Sequence, residues 1–144
     1  VAQRQAFGKA IGYAKEALAD PVVREAYARA AEKKEGPSAF NAAVADYFKP
    51  PTVEAIDVAR YTGHAGDPIG IEAHDDVDVM SVRVVIRQAD GTVLEQGDAA
   101  VANRKWSYTA TTMLPAGAAV TIEATATDRP NHTGSLTSAF TMPG

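Results

Sequence analysis

The spacing of apolar residues in this chain changes once, at Lys49-Pro50-Pro51, and no single regular element can run through that point. Proline fixes φ, lacks a backbone N–H and pushes the residue before it out of helical conformation. Ahead of the double proline, Phe7, Ile11, Ala14 and Leu18 recur at steps of four, three and four, which is one face of a helix. Asp20-Pro21 then supplies an N-cap and a proline at the first helical position. The helix that follows carries Val23, Ala26, Tyr27 and Ala30 on one stripe and is expected to stop at Gly36-Pro37. Pro37-Ser38 opens a third, with Phe40, Ala43, Val44 and Tyr47 as its apolar face. Residues 1–50 are therefore expected to form a segment of two to three short helices.

Past Pro51 the period is two. Ile69, Ile71 and Ala73 alternate with Gly70, Glu72 and His74; Val82, Val84 and Ile86 alternate with Arg83, Val85 and Arg87. Trp106, Tyr108 and Ala110 alternate with small polar residues, and so do Val120, Ile122, Ala124 and Ala126. Each run is a strand with one wet face. Asp90-Gly91 between two such runs signals a hairpin. Seven strands are expected, at 53–59, 67–74, 79–88, 92–98, 105–112, 118–127 and 133–140. The fold class is α+β: a helical segment over 1–50, then an antiparallel seven-stranded β-sandwich over 51–144.

The stretches "GDPIGIEAHDDVDVMSVRVVIRQADGTVLEQG", "WSYTATT" and "VTIEATATDRPNHTGSLTSAF" resemble a bacterial immunoglobulin-like domain over residues 53–141. The likeness rests on Ala73-His74-Asp75 ending the second strand, Val82-Arg83-Val84 in the third, and Ala126-Thr127-Asp128 ending the sixth. It implies a sandwich fold and no particular chemistry. The cysteine pair of vertebrate immunoglobulin domains is absent, so no antibody-like role is implied. Residues 16–30, "EALADPVVREAYARA", resemble the closing helix of a chaperone J-domain, but the His-Pro-Asp loop that such a domain works through is absent. The helical front end as a whole resembles a bacterial domain of unassigned function.

Charge narrows the partners. Residues 1–50 carry eight Lys/Arg against six Asp/Glu, and residues 51–144 carry six against twelve. An acidic second half disfavours nucleic acid and admits cations or basic partners. With no cysteine, disulfides, thiol catalysis and thiolate metal sites are all excluded. No apolar run approaches the ~20 residues of a membrane span, and no signal peptide is visible, which leans towards the cytoplasm.

Asp75, Asp76, Asp78 and Asp128 are the candidate site. The second and sixth predicted strands run the same way, so their C-terminal ends share one rim of the sandwich. Asp75 keeps the parity of Ile69, Ile71 and Ala73, and Asp128 that of Val120, Ile122 and Ala126, so both are expected to point inward. Two readings stay open. In the favoured one, Asp75 and Asp128 are scaffolding that accepts hydrogen bonds from backbone N–H groups of the loops they open. In the other, the four carboxylates hold Ca²⁺, although the spacing is not that of an EF-hand. A transition metal on His74 or His132 is a third, weaker option. Trp106 and Tyr108 are expected in the core, and Asn131-His132-Thr133 matches a glycosylation acceptor triplet by pattern only.

The function expected from this is a non-enzymatic binding or interaction module with no required cofactor and a protein partner. The alternatives are an accessory or spacer domain of a cell-surface adhesin or glycan-acting protein, and an enzyme with a rim site on Asp75, Asp76, Asp128 and His132.

Overall fold

The computed structural model describes residues 2–33 and 38–143. Three helices come first: α1 (Ala2–Ala19), α2 (Pro21–Lys33) and α3 (Ala39–Phe48). The Asp20-Pro21 signal works as expected, with Asp20 Oδ1 accepting from the Val22 N–H at 2.9 Å. Ser38 caps α3, its hydroxyl accepting from the Asn41 N–H at 3.1 Å. The expected stop at Gly36-Pro37 lies outside the described residues.

The buried faces are rotated from those the spacing suggested. On α1, Ala10, Ala14 and Ala17 are buried, while Phe7 is 54% exposed. On α2 the buried residues are Tyr27 and Ala31; on α3 they are Ala42, Ala43 and Asp46. Alanine faces let the three helices approach closely, and the larger apolar side chains move to the edges of the contact. Ala14, Ala17, Tyr27, Ala31, Ala42 and Ala43 form one apolar cluster, against which Val77 packs from outside the helices.

Eight strands follow, one more than expected: β1 (Thr52–Asp57), β2 (Pro68–His74), β3 (Val79–Gln88), β4 (Val93–Asp98), β5 (Ala100–Ala102), β6 (Lys105–Thr109), β7 (Ala119–Asp128) and β8 (Thr133–Thr141). They build two four-stranded sheets, ordered β1-β2-β6-β5 and β4-β3-β7-β8, with every pairing antiparallel. The additional strand is β5, joined to β6 by Asn103 and Arg104, both at positive φ (51° and 64°). Such a two-residue turn matches strand twist, and Asn tolerates it well.

Two other hairpins use a different device. Gly91 N–H donates to Gln88 O and Gln88 N–H to Thr92 O; Asn131 N–H donates to Asp128 O and Asp128 N–H to His132 O. In each, one left-handed residue, Gly91 (φ 92°) or Asn131 (φ 70°), closes the turn. The second sets Asp128 at the mouth of the β7–β8 loop.

Between the sheets lies the second apolar cluster, with Ile69, Ile71, Val82, Val84, Ile86, Trp106, Tyr108, Val120, Ile122, Ala124 and Ala126 all buried. The two-residue period places them there, and Trp106 and Tyr108 are core residues as expected. The chain passes from helix to sandwich with no slack. At Gly134 on β8 a Cβ would sit 1.9 Å from Pro51 O, so the strand lies against the double proline itself.

Candidate functional site

Three carboxylates from distant parts of the chain converge where the helices meet the sandwich. One oxygen each from Asp46, Asp75 and Asp128 lies within 4.8 Å of the other two. Asp46 belongs to the buried face of α3, three and four residues beyond Ala43 and Ala42. Asp75 immediately follows β2 and keeps the inward parity of that strand. Asp128 is the last residue of β7 and is 2% exposed. The shared rim and the inward direction of Asp75 and Asp128 are as the strand parity requires.

Each carboxylate has one satisfied oxygen. Asp46 Oδ2 accepts the Tyr27 hydroxyl proton at 2.6 Å, and Tyr27 in turn accepts from the Tyr13 hydroxyl. Asp75 Oδ2 accepts from the Val77 N–H at 3.2 Å, and Asp128 Oδ1 from the His132 N–H at 2.8 Å. The scaffolding role expected for Asp75 and Asp128 therefore accounts for half of each group. The other oxygens, Asp46 Oδ1, Asp75 Oδ1 and Asp128 Oδ2, are shielded from solvent and accept from no N–H or hydroxyl of the protein.

The electrostatics follow from that arrangement. Burial pushes the Asp46 carboxyl up to about 8, against the lowering effect of the Tyr27 hydroxyl, and a carboxyl–carboxyl hydrogen bond with Asp75 and the charges of Asp75 and Asp128 add to the rise. Burial also raises Asp128, with Asp75 adding to it, while the His132 N–H holds it down. Tyr27 is held well above the ordinary phenol range by burial first, then by its bonds to Asp46 and Tyr13. Tyr13 is raised by burial.

Asp76 and Asp78 stand apart from this cluster. Asp76 Oδ2 is 3.2 Å from Lys49 Nζ, and Asp78 Oδ2 is 2.8 Å from Arg129 Nε. The reason is local: Val77 packs into the helical cluster and Val79 into the sandwich, so the acids between and beside them turn away. His74 is on the surface, its Nε2 3.5 Å from Glu54 Oε2, and the His132 ring packs edge-on against Tyr47 with centroids 4.6 Å apart. Among the described residues, neither histidine belongs to the three-carboxylate group.

A second buried carboxylate shows what complete satisfaction looks like. Glu95, 8% exposed, accepts from Tyr108 hydroxyl (2.9 Å), Thr111 N–H (2.7 Å), Thr111 hydroxyl (2.6 Å) and Thr112 N–H (3.4 Å). Its bonds tie β4 to the end of β6. Glu95 and Asp46 are not among the residues that the sequence pattern singles out, and Tyr27 stands out there only as part of the apolar stripe of α2. For Asp46 a signal existed: it falls on the Ala42–Ala43 face, and a buried tyrosine on the facing helix needs a partner for its hydroxyl.

At the outer edge of the helices, Phe7 of α1 stacks on Phe48 of α3, with centroids 6.3 Å apart, and Tyr47 meets Phe48 edge-on at 5.9 Å. Both phenylalanines are about half exposed, at 54% and 47%. Phe48, Lys49, Thr52, His74, Asp75 and Asp76 border an open groove of about 480 Å³ beside them.

No family model and no curated protein matches the chain. Among solved structures, CopC from Methylosinus trichosporium OB3b is similar at 12% identity and TM-score 0.48, covering 65% of this chain and 93% of CopC. A tetra-tandem repeat in the extending region of a large adhesion protein is similar at 20% identity and TM-score 0.48, over 65% of this chain and 24% of that one. The cell-surface-expressed multi-modular chitinase ChiW of Paenibacillus sp. str. FPU-7 is similar at 13% identity and TM-score 0.44, over 67% of this chain and 8% of the enzyme. Such likeness concerns the fold alone. The expected lean towards the cytoplasm gains no support from these proteins. No helix among the described residues is long and apolar enough to cross a membrane.

Proposed function

We propose that the protein is a non-enzymatic binding module, a helix-capped sandwich of immunoglobulin type that engages a protein partner through the Phe7–Phe48 edge and the adjoining groove. The strand order, β1-β2-β6-β5 against β4-β3-β7-β8, supports the immunoglobulin-type label. The observation that carries the binding role is the half-exposed, stacked aromatic pair. Two rings held together on different helices offer a rigid apolar anchor at little entropic cost, the kind of residue that dominates interface energetics. The adjoining groove sets Glu54 against His74 and Asp76 against Lys49, a mixed polar rim beside the apolar anchor.

An enzymatic rim site is less well supported. Of its four residues, Asp75 and Asp128 turn towards Asp46, His132 packs on Tyr47, and Asp76 is engaged by Lys49. The test is affinity capture from an extract of the source cells with the native protein and with Phe7→Ser/Phe48→Ser, after matching their melting temperatures. A protein retained by the native chain and lost with the double variant is the expected result. Equal retention by both would place binding elsewhere, and no retention by either would overturn the reading.

A further inference from the structure

We propose that Asp46, Asp75 and Asp128 form a Ca²⁺ site that clamps α3 to the open rim of the sandwich. Two observations carry this independently of the acidic cluster as such. Asp46 is 0% exposed and Asp128 is 2% exposed, and each has a shielded oxygen that no N–H or hydroxyl of the protein serves, the Asp46 carboxyl meeting only the Asp75 carboxyl there. Buried carboxylate oxygens in folded proteins are paired or ligate ions, and Glu95 shows that this chain supplies donors where a carboxylate is only structural.

The nearby cations are committed elsewhere. Lys49 pairs with Asp76 and Arg129 with Asp78, and no ion pair among the described residues involves Asp46, Asp75 or Asp128. Three carboxylates gathered out of water need a compensating positive charge, either protons or a cation. The donor set is all oxygen, which selects a hard ion over the transition metals that favour imidazole or thiolate. At the Ca²⁺–O distance of about 2.4 Å no two ligand oxygens can lie more than about 4.8 Å apart, a limit that the three oxygens meet. Mg²⁺, at about 2.0–2.1 Å and octahedral, sets a tighter limit of about 4.2 Å and gives up its waters reluctantly. Asp75 provides the way in, since it is only partly buried and borders the open groove. Waters from that side would complete the shell.

The clamp is physically economical. The ligands lie on α3, after β2 and at the end of β7, so one ion would bridge the helical cluster and both sheets.

Calorimetric titration and thermal melts of the chelator-treated chain at pH 7.5 test the proposal. The expected result is one saturable Ca²⁺ site and a melting temperature raised by more than about 5 °C at saturation, with a smaller response to Mg²⁺ at equal concentration. Asp46→Asn and Asp128→Asn should each weaken binding at least tenfold. Metal-free Asp46→Asn should melt no lower than the native chain, because its amide oxygen still accepts from Tyr27 while one charge is removed. Asp78→Asn, whose native partner is Arg129, should bind within about threefold of native. Silence up to about 10 mM Ca²⁺, beyond the range of weak extracellular sites, would overturn the proposal and leave protons as the compensating charge. Binding that survives both Asp46→Asn and Asp128→Asn would overturn it as well, and an equal Mg²⁺ response would overturn the choice of ion.

Discussion

Asp46 of α3 and Asp128 of β7 bring carboxylate oxygens within 4.8 Å of each other across the boundary between two apolar clusters. Two acids in that position oppose each other's ionisation. They persist because each is held by a donor from its own side of the boundary, Tyr27 for Asp46 and the His132 N–H for Asp128. The junction is thus held by groups whose charge state depends on conditions, and its stability should depend on those conditions too.

Tyr27→Phe removes the hydroxyl that Asp46 Oδ2 accepts from and leaves the carboxylate with no protein donor. The ring stays, so packing is kept. The expected loss is about 1–3 kcal/mol, measured by urea or thermal unfolding. A neutral outcome would show that Asp46 does not depend on Tyr27.

The metal-free protein should lose stability as pH rises from about 4 to about 8. Asp46 has a folded value near 8, above its ordinary 3.8, and Asp128 is raised as well. A group whose folded pKa is raised binds more protons when folded, so its contribution is complete below the unfolded pKa and disappears as pH passes the folded one. Asp67 and Asp90, lowered chiefly by backbone donors at Thr62 and Thr92, act in the opposite sense, and only as pH falls below their ordinary 3.8. Melting temperatures across pH 4–9 in chelator check the direction. Stability rising steadily over pH 5–8 would contradict it.

Glu95→Ala should cost about 3 kcal/mol, because Tyr108 hydroxyl and the Thr111 N–H and hydroxyl lose their common acceptor at the edge of the core. Glu95→Gln keeps an acceptor oxygen and should cost less than half as much. Chemical denaturation of the two variants separates them. Equal losses would mean that charge, and not the number of acceptors, matters there.

Gly134→Ala should destabilise by about 2–3 kcal/mol. Its Cβ would meet Pro51 O at 1.9 Å, and backbone on both sides would have to give. Thermal melts check the magnitude. A variant as stable as the native chain would show that β8 is not pressed against the double proline.

What the residues announced on their own was local. The period of two after Pro51 fixed which side chains of β2, β3, β6 and β7 meet in the core, since adjacent strand residues must face opposite ways. The same rule sent Asp75 and Asp128 inward to one rim. Asp20-Pro21 and Ser38 marked two helix starts, because their side chains satisfy N–H groups that any helix leaves open. The short β5 was hidden: three residues show no period, and its turn uses Asn103-Arg104 in place of a glycine.

The assembly of the site was decided only in three dimensions. Helical spacing places Asp46 on the face of Ala42 and Ala43, but nothing in the spacing says that this face meets the end of β7, 82 positions along the chain. Likewise, the run Asp75-Asp76-Val77-Asp78 looks like one acidic loop until Val77 is drawn into the helical cluster and Val79 into the sandwich. Packing then splits the run, leaving Asp75 with two distant partners and sending Asp76 and Asp78 to Lys49 and Arg129. Alternation and capping act between neighbours in the chain, so the sequence carries them. The meeting of three acids depends on how two separately packed clusters dock, and that depends on their whole surfaces at once.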